Sequence, residues 1–244
     1  MLQCNQTKPQ GVIEVRKLTG EEQKHYDEFG YVVISNFFSA DELSEINEEL
    51  DGCETPAQTS GEHEGFTYQL AMLTDKTKQF AQDERILNLL EDIVKPGISI
   101  FSSKLLTKLP GSASVCHWHQ DDAYYTEVAN SHTRMSIWVP LQDTDERNGC
   151  LWIVPGSHKT GLQSHTVKDN GTCRKALDEN RVDLSKAVPV RMEAGSMLLF
   201  NALTWHSSQG NETDQVRRAF IVSYQEATVP LGRGKQHVIL RPAN

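Results

Sequence analysis

Between residues 98 and 225 the chain is cut into short apolar runs by turn signals at nearly even spacing, and this pattern constrains the fold more than any other feature. The runs fall at 98–109, 137–141, 150–154, 188–192, 196–200 and 217–224, and their valine, isoleucine and aromatic content suits a pleated, half-buried surface. Asn148-Gly149, Pro155-Gly156, Ala194-Gly195 and Gly210-Asn211 separate them. Such pairs reverse a chain cheaply, because glycine accepts positive φ and proline pre-sets its own. Strands this short bury little alone, so they predict two sheets packed face to face, a double-sheet jelly roll.

The N-terminal third reads differently. Thr19, followed by Glu21 and Glu22 and closed by Gly30, predicts a helix over 20–29. A β-rich run covers 31–38, and Ser39 with Glu42 makes a capping box for a helix over about 40–50. Ile86, Leu87, Leu89, Leu90 and Ile93 recur at helical spacing within 83–94. Residues 53–66 read as a loop, and 159–187, long, polar and poorly periodic, predict a lid or an inserted excursion. The expected organisation is one domain over 1–244: a helix-rich part at 19–95 packed outside an all-β core at about 98–225, then a tail at 226–244 made locally basic by Arg233, Lys235, His237 and Arg241.

With 244 residues, 38% of them hydrophobic, the chain has enough apolar material for a full core. A net charge of −9 without any lysine or arginine block excludes a nucleic-acid groove. No apolar stretch approaches the roughly 20 residues of a membrane span, and the N-terminus lacks signal-peptide character, so no membrane partner and a cytoplasmic location are expected. Five cysteines, an odd number with no Cys-x-x-Cys pair, predict free thiols. Cys116, three before His119, is assigned by strand alternation to the face opposite that histidine.

His-x-Asp occurs twice, at His25-Tyr26-Asp27 and His119-Gln120-Asp121. The first lies in a predicted helix, where residues two apart are rotated by roughly 200° and cannot share an ion. The second follows β-rich sequence, and on a strand His119 and Asp121 point the same way. His206, on a distant run, supplies a third ligand. Two imidazoles and one carboxylate leave about half of an octahedral shell open, the pattern of a non-haem Fe(II) oxygenase. Eleven residues on stands Arg217, whose guanidinium fork matches a carboxylate bidentately. Alternation turns only one of Arg217 and Arg218 inward, and Arg217 is favoured.

Trp118-His119-Gln120-Asp121, the run from Asn148 to Lys159, and His206 with Arg217-Arg218-Ala219-Phe220 together resemble the phytanoyl-CoA dioxygenase family, across about residues 19–225. The resemblance implies a double-stranded β-helix and an Fe(II)- and 2-oxoglutarate-dependent dioxygenase. Such an enzyme consumes O2, releases succinate and CO2, hydroxylates a small organic molecule and is supported by ascorbate. It implies His119, Asp121 and His206 as iron ligands and Arg217 as the clamp on the distal carboxylate of 2-oxoglutarate. Ser208 shares the face of His206 and is a further candidate for that carboxylate. Trp138 corresponds to a family tryptophan near the co-substrate, or is a plain core aromatic. Lys104 falls at a co-substrate position where the family does not usually hold lysine, and is otherwise solvent-facing.

His117, two before His119, is expected to share its face; His63, His132, His158, His165 and His237 read as loop or surface residues, and Asp122 as surface or supporting. Gln69, Tyr124, Tyr125 and Arg134 are candidates for the substrate wall. Because Asp121 occupies the position where related halogenases hold a small residue, halogenation is disfavoured. The alternative is a metal-binding jelly roll without oxygenase activity, a cupin-like isomerase or a non-catalytic module, for which the arginine clamp has no use.

Overall fold

Thr19 starts the first helix as its sequence predicts. In the computed structural model, which describes residues 16–52, 65–125, 131–230 and 238–243, α1 (Gly20–Phe29) opens on a capping box. The Glu22 N–H donates to the Thr19 hydroxyl at 3.2 Å and the Thr19 N–H to the Glu22 carboxylate at 2.8 Å. Gly30 ends it at φ 82°, where a Cβ would run into the His158 and Thr204 side chains. The chain then enters β1 (Tyr31–Ile34), and α2 (Ala40–Gly52) begins on the second predicted capping box, Ser39 with Glu42. After β2 (Phe66–Tyr68) come α3 (Asp75–Ala81) and α4 (Glu84–Leu90), whose Ile86, Leu87, Leu89 and Leu90 are buried.

The remaining strands are β3 (Ile98–Lys108), β4 (Cys116–His119), β5 (Met135–Pro140), β6 (Leu151–Ile153), β7 (His165–Val167) and β8 (Lys175–Leu177). They continue with β9 (Val188–Val190), β10 (Met197–Asn201), β11 (His206–Ser208), β12 (Arg217–Gln225) and β13 (Val238–Arg241). The larger sheet runs β1-β10-β5-β12-β3-β13, with β2 also on β3, and the smaller runs β4-β11-β6-β9, all antiparallel. Together they form the expected jelly roll.

Central strands of the larger sheet are buried on both faces. Ile137, Val139, Leu199, Phe220 and Val222 pack under the helices, whereas Trp138, Leu198, Phe200, Ala219 and Ile221 turn toward the smaller sheet and meet Leu151 and Ile153. This is why the sequence shows continuous apolar runs there rather than alternation. Each such side chain contributes about 1.5–3 kcal/mol by leaving water.

One expectation is corrected, and two segments take a definite form. Segment 159–187 carries the β7–β8 hairpin and packs on the end of β4. The tail adds β13 to the sheet edge, where Arg241 pairs with Glu84 and Glu91, while Arg233, Lys235 and His237 lie outside the described residues. Cys116 and Cys173 form a disulfide closing 57 residues, so the free-thiol reading fails for that pair; Cys150 is free and buried, and Cys4 and Cys53 lie outside the described residues. Sequence spacing could not reveal the bond, because the hairpin returns Cys173 to β4 only in three dimensions. The described residues contain no helix long and apolar enough to cross a membrane.

Candidate active site

The copy of His-x-Asp in α1 is engaged by its own neighbours: His25 meets the Phe29 ring at a tilt and the Tyr31 ring edge-on, and Asp27 accepts from Gln23 at 2.8 Å. At the other copy, β4 pairs with β11 so that His119 lies opposite His206. Their rings are 4.1 Å apart. Asp121 joins them, its Oδ1 3.8 Å from His119 Nε2 and 3.9 Å from His206 Nε2. All three residues are buried, and their donor atoms lie within 4.8 Å of one another.

Asp121 reaches this position for a different reason than strand alternation. β4 ends at His119, and a turn leads into the short helix α5 (Asp122–Tyr125), with Tyr124 N–H donating to Asp121 C=O at 3.0 Å. Gln120 pins that turn: its side-chain amide donates to Gly161 C=O and Leu203 C=O and accepts from Gln163 N–H, and its own N–H donates to His165 Nε2 at 3.1 Å. His165, read from sequence as a surface residue, is therefore a support of the site. Asp122 is buried on Arg134 rather than exposed, and Arg134 also holds Gln225.

The donor set fits a divalent metal. His119 Nδ1 faces His117 C=O at 2.7 Å and His206 Nδ1 faces Thr204 C=O at 2.9 Å. Each carbonyl fixes the proton on Nδ1 and leaves the Nε2 lone pair turned to the centre. Burial holds both histidines below their ordinary pKa, so the imidazoles are neutral and ready to ligate. Burial opposes ionisation of Asp121, yet the Lys104 charge and the Ser136 hydroxyl help keep the carboxyl below its usual range. Ser136 donates to Asp121 Oδ2 at 2.8 Å and meets Ser223 Oγ at 2.9 Å. Asp121 thus offers one oxygen to the centre and has the other tied back.

The triad opens into a cavity of about 350 Å³ walled by aromatics of the larger sheet, Phe66, Phe101, Trp138 and Phe200, and by Tyr124 and Tyr125 of α5. Ser208 and Lys104 also line it. Among the described residues, Ser208 Oγ, Trp138 Nε1 and Arg217 Nη1 are buried without a hydrogen-bond partner, as is Ser207 Oγ beside Ser208 on β11. Arg217 is buried behind Trp138, its Cζ 5.8 Å from that ring, with Nη2 donating to Gly149 C=O at 3.0 Å. Unpaired buried donors are costly. Arg218 pairs with Asp51 at 2.6 Å on the outer face.

Two face assignments fail together. Opposite His206 to Ser208, β4 spends His119 to Cys116, three steps against two, so a bulge breaks the alternation. Cys116 therefore lines the cavity, its Sγ 3.7 Å from His119 Nδ1, while His117 turns away to the Asn170 carbonyl at 3.1 Å. Of the proposed wall residues, Tyr124 and Tyr125 line the cavity and Gln69 and Arg134 do not. Lys104 is not solvent-facing: its Nζ donates to Tyr125 Oη at 3.0 Å. His63 and His237 fall outside the described residues. Ser136 carries no motif, and the one signal for it in the sequence is a lone hydroxyl between Met135 and Ile137 in a buried strand, which implies something polar opposite.

The family model for phytanoyl-CoA dioxygenase (PhyH) matches residues 26–219. The chain is 26% identical over 227 residues to a probable alpha-ketoglutarate-dependent hypophosphite dioxygenase of Stutzerimonas stutzeri, covering 85% of this chain and 78% of that protein. It is 28% identical over 225 residues to the peroxisomal phytanoyl-CoA dioxygenase of Mus musculus, covering 83% and 67% respectively. The crystal structure of EctD from S. alaskensis with 2-oxoglutarate and 5-hydroxyectoine superposes with a TM-score of 0.73 at 20% identity, covering 88% of this chain and 79% of EctD. The chain is therefore a member of the phytanoyl-CoA dioxygenase family, an iron- and 2-oxoglutarate-dependent dioxygenase built on a jelly roll.

Proposed function

We propose that His119, Asp121 and His206 hold the Fe(II), that Arg217 with Ser208 and Trp138 takes the distal carboxylate of 2-oxoglutarate, and that a small organic molecule in the aromatic cavity is hydroxylated at carbon. The observation that carries this reading is the pairing of a pre-oriented triad with the unpaired buried donors of Ser208, Trp138 and Arg217. When bound, the iron and 2-oxoglutarate supply the oxidation, in which O2 and 2-oxoglutarate become succinate, CO2 and one oxygen atom delivered to a C–H bond.

The protein's own work is positional. The carbonyls of His117 and Thr204 set the tautomers of the two histidines. Ser136 ties Asp121 Oδ2, so the carboxylate would hold the metal through its other oxygen and leave room for the co-substrate and O2. Arg217, held by the carbonyls of Asn148 and Gly149, has its fork set before a ligand arrives. Apolar walls exclude water from the oxidising centre.

Anaerobic addition of Fe(II) and 2-oxoglutarate to the purified protein is expected to produce a charge-transfer absorption band that neither gives alone. In air with ascorbate, the same mixture should release succinate slowly without substrate, and His119→Ala should abolish both signals. A protein that binds the metal but never shows the band, nor any succinate, refutes the reading.

A further inference from the structure

Lys104 is a cation that the iron and co-substrate machinery leaves unaccounted for. It projects from β3 into the cavity, where its Nζ donates to Tyr125 Oη at 3.0 Å and lies 5.6 Å from the Phe66 ring centroid and 5.7 Å from that of Tyr125. Among the described residues no carboxylate forms an ion pair with it, in contrast to Arg85, Arg134, Arg218 and Arg241, each of which has one. A single hydroxyl and two ring faces use part of what an ammonium with three donors offers. The charge that answers it is that of Asp121, whose carboxylate a bound metal would engage, and an ammonium then left against an apolar wall is costly unless another anion joins it.

The co-substrate's charges are already met elsewhere in the proposed function, on which this inference rests. Its keto-acid end faces the metal and its distal end faces Arg217. Lys104 stands opposite Ile221 on β12, four residues from Arg217, which puts the two backbone positions about 13 Å apart along the strand. Their side chains also turn to different partners, Arg217 to the carbonyls before β6 and Lys104 to α5. With iron, Asp121, 2-oxoglutarate and Arg217 in place those charges cancel, and one positive charge remains beside the aromatic wall.

We propose that Lys104 anchors the acid group of the primary substrate, a small monocarboxylic acid whose carbon body lies on the wall formed by Phe66, Tyr68 and Tyr124. One unbalanced cation matches one carboxylate. A phosphate dianion would bring a second charge with no partner among the described residues of the cavity. The acid group held at Lys104 directs the chain of the substrate across the ring faces toward His119, Asp121 and His206, so the anchored charge sets which carbon is presented.

The test uses the full-length protein loaded anaerobically with Fe(II) and 2-oxoglutarate, probed with phenylacetate and hexanoate and with their uncharged amides. Binding is read as a perturbation of the charge-transfer band, and in air as stimulation of succinate release. Each acid should bind about tenfold or more tightly than its amide. Lys104→Met should erase that preference while weakening 2-oxoglutarate binding far less than acid binding, and Lys104→Arg should restore most of the preference. Equal binding of acids and amides by the wild type overturns the proposal, as does failure of both acids to bind. A loss of 2-oxoglutarate affinity in Lys104→Met as large as the loss of acid binding also overturns it, because Lys104 then belongs to the co-substrate. If the wild type forms no band at all, the proposed function has failed rather than the role of Lys104.

Discussion

Removing the Ser136 hydroxyl isolates the idea that Asp121 is held to one-oxygen ligation. Ser136 is fully buried on β5, donates to Asp121 Oδ2 at 2.8 Å, and meets Ser223, its register partner on β12, at 2.9 Å. In Ser136→Ala the carboxylate loses a hydrogen bond to a charged group, worth about 1.5–3 kcal/mol, and gains freedom to turn its second oxygen toward the metal. The first effect corresponds to a loss of roughly 10- to 100-fold in metal affinity, the usual consequence of deleting a group that orients a ligand. The second fills a position that O2 or 2-oxoglutarate needs. The assay is calorimetric titration with Mn(II), in the absence of oxygen chemistry, for wild type, Ser136→Ala and Ser223→Ala, with thermal melting to show that each is folded. Ser223 touches Asp121 only through Ser136, so its loss should cost a few-fold at most. A folded Ser136→Ala whose metal affinity stays within twofold of wild type would refute the argument.

Other outcomes follow from the same geometry. Arg217→Lys should raise the KM for 2-oxoglutarate about tenfold or more with a smaller change in kcat, since a point charge cannot reproduce the fork that donates to Gly149 and faces Trp138; an unchanged KM would remove Arg217 from the co-substrate site. Reducing Cys116–Cys173, which closes 57 residues, should lower stability by up to about 4 kcal/mol on the chain-entropy account; identical melting temperatures with and without reductant would count against the bond. Burial works against the Glu226 charge, but donors from Ser131, His132 and Thr133 hold its carboxyl below the ordinary range. A depressed folded pKa gives stability that is present above the unfolded value and lost as pH falls through the folded one. The melting temperature of Glu226→Gln should accordingly change less than that of wild type on acidification from about pH 5 to 3, and parallel curves would exclude the contribution.

Much of the site is legible in the sequence because its parts are local or chemically unusual. The capping boxes at Thr19 and Ser39 follow from spacing, and the helix that Thr19 starts disqualifies the copy at His25 on helical geometry alone. Long-range parity is less secure. Strand alternation assigns Cys116 and His117 to the wrong faces because period-two counting assumes an unbroken pleat, and the bulge opposite β11 spends an extra residue. The 159–187 segment offers no periodicity, since its short strands are held by Gln120, Tyr124 and the Cys173 bond to elements about fifty residues away.

What the sequence determined by itself was chemistry: which residues own lone pairs, fixed charge or a turn-forming backbone, and therefore that a jelly roll with two histidines, an aspartate and an arginine had to be built. Only the tertiary structure decided direction. It placed Asp121 on a strand-to-helix turn rather than a pleat and set Ser136 against its second oxygen. It left Trp138, Ser208 and Arg217 with unpaired donors and put the Lys104 ammonium on an aromatic wall. Those outcomes depend on which of two faces a side chain takes after a bulge or a turn, and a single inserted residue reverses every face beyond it.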